Sequence, residues 1–159
     1  MIKILLLVIL LCAIAIPCHA WPARVVAVTD GDTITVEPIE GGERVKIRLH
    51  GIDAPERKQP SGEAARTLLV SVALYQPVVI EEKSRDRYGR SVAIVWLATG
   101  ESLQVALLDA GLAWVWTLYC RNCHEWEQVQ EAARQSRLGI WSESTPIPPW
   151  EWRRGAREG

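Results

Sequence analysis

Phenylalanine is missing from all 159 residues, and the single methionine stands at position 1. Any aromatic core must therefore come from eight tryptophans and three tyrosines, and past the first residue no thioether is available as an axial metal ligand. Neither charge dominates: 18 Lys and Arg face 19 Asp and Glu, a net charge of −1. That balance argues against a domain that coats polyanions by bulk electrostatics, although a local basic site stays open. Nothing repeats internally, and 48% hydrophobic residues exclude a disordered or collagen-like chain. The length suits one globular domain and is too little for two comfortable ones.

After the first twenty residues no long apolar run occurs. Within them, Lys3 precedes the uninterrupted run Ile4–Ile16, Pro17 breaks it, and Cys18-His19-Ala20 places small residues before Trp21. This reads as a signal peptide, residues 1–20, cleaved after Ala20. The run of roughly thirteen residues falls short of the ~20 that a membrane helix needs, so an uncleaved anchor is the weaker reading. Pro17 before Cys18 also fits a lipidated cysteine poorly. The expected mature protein is soluble, secreted or periplasmic, with no stable membrane anchor. Its only cysteines are Cys120 and Cys123, which an oxidising compartment favours as a pair.

Val25, Val26 and Val28, then Asp30-Gly31, then Thr33-Ile34-Thr35-Val36 read as two strands around a hairpin turn. Gly41-Gly42 makes a second turn before the alternating strand Val45–His50. Ser61 is placed to cap a helix with apolar Ala65, Leu68, Leu69 and Val72, ended by Pro77. Val78–Ile80 and Val92–Leu97 form two further strands around the charged loop Lys83–Arg90. Ser102–Ala110 is a second helix closed by Gly111. Trp126, Val129 and Ala133 face a third, which Gly139 stops. The Pro-, Trp- and Arg-rich tail, residues 142–159, is expected to pack as an extended strap. The pattern predicts a mainly β domain (α+β), a small five-stranded barrel with three flanking helices, over residues 21–141.

Chemistry-bearing residues cluster at strand ends. Asp32 follows the hairpin turn, Arg48 ends the third strand, Asp53 and Glu56 follow it, and Arg90 comes after Tyr88-Gly89. Carboxylates for a hard cation and guanidinium forks for phosphate oxygens would suit a phosphate-processing site. By composition alone that proposal is weak, and solvated loop charges are the stronger reading.

Three blocks decide between these readings: Val28-Thr29-Asp30-Gly31-Asp32-Thr33-Ile34, Arg48-Leu49-His50-Gly51-Ile52-Asp53-Ala54-Pro55-Glu56 and Asp86-Arg87-Tyr88-Gly89-Arg90. In order and spacing they resemble the signature blocks of the thermonuclease, or staphylococcal nuclease, family. Ala110–Ala113 and Arg137–Trp141 resemble its later stretches. The resemblance implies an oligonucleotide-binding (OB-fold) barrel with three helices, and calcium-dependent cleavage of DNA and RNA to 3′-phosphate ends. It implies that Asp32, Asp53 and the Ala54 carbonyl hold the metal. Glu56 would then orient or deprotonate the attacking water, and Arg48 and Arg90 would grip the phosphate. Arg87, Tyr88 and Tyr119 match substrate-binding positions. A monomer is expected, and the rival reading is a nucleic-acid-binding module of the same fold without useful catalysis.

This sequence departs from the family pattern in places. Ala54 stands where a threonine is usual, and the stretch from Glu56 to Ser61 is several residues short. Thr117 or Trp116 falls where another base-stacking tyrosine is expected. Asp30 is either a helper to the metal carboxylates or a turn former. Trp114, Trp116 and Trp126 are expected mainly as packing anchors. Lys83 and Arg85 are equally open to a backbone-tracking role, and Arg153, Arg154 and Arg157 are expected to be solvated. Cys120-Arg121-Asn122-Cys123-His124 also matches the spacing of covalent haem attachment. A disulfide is the leading reading there, ahead of free thiols, zinc and haem.

Overall fold

A computed structural model describes residues 20–120 and 122–158. The expected leader, apart from Ala20, and Arg121 lie outside the described residues.

The β-branched runs form a closed barrel. Its strands are β1 (Ala20–Val28), β2 (Thr33–Pro38), β3 (Val45–Leu49), β5 (Pro77–Arg85) and β6 (Ser91–Leu97). The order round the barrel is β1-β2-β3-β6-β5, with β5 returning to β1. All neighbours are antiparallel except β3 and β6, which run parallel. Alternation sends Val25, Ile34, Val36, Ile47, Leu49, Ile80, Ala93 and Val95 inward, each at most 1% exposed. Burying a large aliphatic side chain stabilises by about 1.5–3 kcal/mol. A further pair, β4 (Ile52–Asp53) and β7 (Trp114–Val115), forms a two-stranded sheet that the sequence pattern did not announce.

Helix α1 (Gly62–Ala73) buries Ala65, Leu69 and Ala73. Ser61 does not cap it with its side chain; it lies in the left-handed region at φ 65°. Helix α2 (Leu103–Asp109) is capped as expected, Ser102 accepting from the Val105 N–H at 3.2 Å. It also ends as expected at Gly111, φ 67°, where the Gly111 and Leu112 amides return to the Leu108 and Leu107 carbonyls.

Helix α3 (His124–Gln135) does not end at Gly139. The left-handed residue is Arg137, φ 55°, and the Arg137 and Leu138 amides close onto the Arg134 and Ala133 carbonyls. Gly139 serves a different purpose, the crossing of two backbones. Ile140 donates to the Gly111 carbonyl at 2.9 Å, and neither Gly111 nor Gly139 has room for a Cβ.

The tail is not an extended strap along its length. After a 3₁₀ turn at Gly139–Ser142, residues 149–158 form a fourth helix, α4 (Pro149–Glu158). Pro149 occupies its first position, where a missing N–H costs nothing, and the Glu151 and Trp152 amides both return to the Pro148 carbonyl. Among the described residues no helix is long and apolar enough to cross a membrane.

Gly111→Ala combines a positive φ with a Cβ that would fall on the Leu138 carbonyl oxygen. It is expected to destabilise the protein by about 2 kcal/mol or more. Urea unfolding should show a lower midpoint with an unchanged slope.

Candidate active site

The turn between β1 and β2 delivers the first acidic group. Thr29 and Asp30 donate their amides to the Thr33 carbonyl, and Asp32 donates its own to Asp30 Oδ1 at 3.1 Å. Gly31 is not in the left-handed region that a tight hairpin would demand. It is a glycine for want of space, since a Cβ there would stand 2.7 Å from the Ala65 Cβ and 2.8 Å from the Ala54 Cβ. That close packing seats the turn against the loop after β4. Asp32 is buried; its Oδ2 accepts from the Ala54 amide at 3.0 Å and its Oδ1 from the Thr33 hydroxyl at 3.1 Å.

Asp53 comes from β4, paired with Trp114 of β7, and is 1% exposed. Gly51, φ 71°, starts this short strand with Trp126 and Cys120 packed where a side chain would be. Arg48, opposite Thr33 in the β2–β3 register, joins the two carboxylates. Its Nη2 lies 3.0 Å from Asp32 Oδ2 and 2.9 Å from Asp53 Oδ1. Its Nη1 donates to the Leu49 and Ile52 carbonyls. Burial raises the Asp53 pKa, while hydrogen bonding from Arg153 and the charge of Arg48 work against that rise.

Glu56 sits on a loop folded tightly into α1. Gln59, nearly buried, accepts from the Glu56 amide through Oε1 and donates its own amide to the Glu56 carbonyl. Its Nε2 reaches the Ile147 carbonyl at 2.6 Å, fastening this loop to the tail. Gly62 packs so closely on the Glu56 carbonyl that a Cβ would overlap it.

Asp30, Asp32, Arg48, Asp53, Ala54, Glu56, Arg87, Tyr88, Arg90 and Trp116 line one open cleft of about 330 Å³. Tyr119 is not in it. It lies in the adjoining groove of about 440 Å³, which shares Arg48, Arg87, Tyr88, Arg90 and Trp116. Arg90 donates through Nε to Asp86 Oδ2 at 2.7 Å. Burial would raise the Asp86 pKa, but hydrogen bonds from the Arg90 side chain and the Arg90 and Tyr88 amides outweigh it and bring the pKa down. The Arg87 and Arg90 guanidinia lie 4.9 and 5.6 Å from the centre of the exposed Tyr88 ring.

One cleft residue departs from expectation altogether. Arg153 of α4 is not solvated: Nη2 lies 2.6 Å from Asp53 Oδ2, and Nη1 lies 2.7 Å from Glu56 Oε1 and 3.4 Å from Asp53 Oδ1. Burial opposes its charge, but these carboxylates more than compensate and raise its pKa. Pro149 at a first helical position and Trp150 three residues before Arg153 were the available sequence signals. Arg154, by contrast, is exposed as expected.

The tryptophans are chiefly scaffolding. Trp114 is buried edge-on against Trp141 at 5.2 Å, and Trp126 packs beneath Gly51. Trp116 lies between Tyr119, at 4.5 Å, and Trp150, stacked at 6.4 Å. Cys120 and Cys123 are joined in a disulfide. His124 opens α3, its Nδ1 3.2 Å from Glu127 Oε2.

Asp32, Asp53 and Glu56 offer only oxygen donors, and guanidinium nitrogens already lie between them. That donor set fits a hard cation such as calcium better than a soft metal. Among the described residues no group of three His, Cys, Asp or Glu side chains is arranged to hold a metal ion, so a cation here would need backbone, water or substrate oxygens beside the carboxylates.

Asp30 tests the electrostatics. Burial, and then repulsion by Asp32, push its pKa up to about 6 from an ordinary 3.8. The folded state thus holds this proton more tightly than the unfolded chain, and the associated stability is lost as pH climbs from 3.8 through about 6. Asp30→Asn keeps the Oδ1 acceptor and cannot ionise. In chelator its Tm should exceed that of the wild type at pH 8, with the gap closing towards pH 4.

Residues 46–143 match the family model described as staphylococcal nuclease homologue. Protein ParB of Escherichia coli is 33% identical over 91% of this chain and 87% of its own length. A protein named micrococcal nuclease from Shigella flexneri is 35% identical over the same shares. One described as an uncharacterized endonuclease from Escherichia coli O157:H7 is 38% identical over 84% of this chain and 90% of its own. With the barrel, the acidic cleft and its paired arginines, these matches show that the chain belongs to the staphylococcal nuclease family and is a nucleic-acid phosphodiester hydrolase.

Proposed function

We propose that the protein is a secreted or periplasmic, monomeric, calcium-dependent endonuclease that cuts DNA and RNA to 3′-phosphate ends. The observation that carries this reading is the convergence of Asp32, Asp53, Glu56, Arg48 and Arg90 on one open cleft. The export part rests on the apolar run Ile4–Ile16 and the small residues before Trp21.

Asp32, Asp53 and the Ala54 carbonyl would hold the calcium; a backbone oxygen is indifferent to alanine replacing threonine. Calcium supplies charge neutralisation and orientation of phosphate and water. Arg90, positioned by Asp86, presents its guanidinium to the negative charge that builds on the phosphoryl oxygens, and Arg48, held by the Leu49 and Ile52 carbonyls and by Asp32 and Asp53, adds its positive charge from the cleft wall. Glu56, partly open to solvent, takes the proton of the attacking water. The groove beyond them, walled by Tyr88, Trp116 and Tyr119, accepts the nucleotide flanking the cut bond.

Glu56→Gln should fold normally, bind nucleic acid and cut it at least about a hundredfold more slowly. Cleavage of single- and double-stranded DNA and RNA with calcium and with chelator checks this. Wild-type turnover in the variant would remove Glu56 from the mechanism, and equal cutting in chelator would refute calcium. Gly62→Ala, which forces the Glu56 carbonyl to move, should cost about a hundredfold in turnover while leaving the far-ultraviolet circular dichroism unchanged.

A further inference from the structure

The tail helix occupies the acidic centre that the nuclease reading assigns to the cation. Arg153 engages both oxygens of Asp53 and one of Glu56. Its helix is seated by side chains of its own: Pro149 is buried, and Trp150 lies edge-on to Trp114 and stacked on Trp116. Trp152 enters a crevice with Gln59, Pro60 and Ile140. The guanidinium therefore comes from a docked element, not from a side chain straying across the surface.

Charge balance explains what holds it there. Arg48 alone spans Asp32 and Asp53, leaving Oδ2 of the buried Asp53 without a counter-charge. A buried carboxylate without a partner is strongly disfavoured, so some cation is required. A hard divalent ion and the Arg153 fork meet this need through the same Asp53 oxygens and cannot both use them. Catalysis also needs Glu56 free to accept a proton, which Arg153 prevents.

We propose that α4 is an autoinhibitory plug, in which Arg153 stands in for the metal at Asp53 and ties up Glu56 beside it, and a divalent cation binds only as α4 leaves the cleft. This rests on the nuclease reading for its biological sense, but its chemistry concerns cation against guanidinium. Because apparent affinity falls with the fraction of open molecules, a plug closed about nine-tenths of the time or more weakens calcium binding about tenfold or more.

The experiment is calorimetric titration with calcium alone, on the full mature chain and on Arg153→Ala, beside amide hydrogen exchange of residues 149–158. Arg153→Ala should bind calcium at least about tenfold more tightly. Arg154→Ala, which removes the same charge from an exposed position of the same helix, should not. In the wild type, saturating calcium should speed amide exchange across α4. Trp150→Ala, which weakens the seat without touching a carboxylate, should move affinity the same way, and thermal unfolding reports that each variant folds.

Equal calcium affinity in wild type and Arg153→Ala would overturn the plug, as would unaltered exchange in α4 at saturation, or no calcium binding by either protein. If instead Arg153→Ala tightens calcium and frees α4 while neither protein cuts nucleic acid, the plug stands and the nuclease reading fails. Cutting by the wild type, with calcium affinity the same in both proteins, leaves the nuclease reading standing and removes the plug.

Discussion

Asp32 and Asp53 are buried at one end of the barrel, and the rest of the site follows from the need to keep two negative charges there. Arg48 meets that need with one nitrogen while its other nitrogen fixes the carbonyls on either side of the β3–β4 turn. Removing one member of such a cluster leaves the others uncompensated, at a cost of about 3–5 kcal/mol. The arginine therefore defines the path of the backbone as well as the charge of the cleft. The tight packing of Gly31 on Ala54 and Ala65 belongs to the same constraint, because it sets the spacing between the two carboxylates.

The barrel and the charged residues that line the cleft were legible because each rests on local signals. Alternating β-branched residues from Val25 to Leu97 specify strands whatever lies elsewhere, and three acidic and basic blocks keep a recognisable spacing. Misreadings arose where one residue type serves two physical purposes. Gly31 looks like conformational punctuation, yet it is small because another chain segment passes close by, and Gly139, φ 52°, answers both a left-handed backbone and a close crossing. Arg137, an ordinary side chain, takes the left-handed position that closes α3. Ser61 looks like a cap and acts as a bend.

Arg153 was missed for a different reason. Its role depends on contacts with Asp53 and Glu56, 100 and 97 residues away, and no local pattern encodes those. Gln59 is similar: its identity matters because it fastens the Glu56 loop to Ile147, 88 residues downstream. The tryptophans were legible as anchors but not as a set. Trp114 meets both Trp141 and Trp150 edge-on, the second only once the tail has folded back.

The distance between Arg153 and its carboxylates along the chain also sets an order of events. Everything that forms the barrel and its acidic end lies upstream of α4, so a chain emerging from its N-terminus can assemble the cleft before the helix that fills it has appeared. During that interval the carboxylates meet whatever cations the surroundings hold.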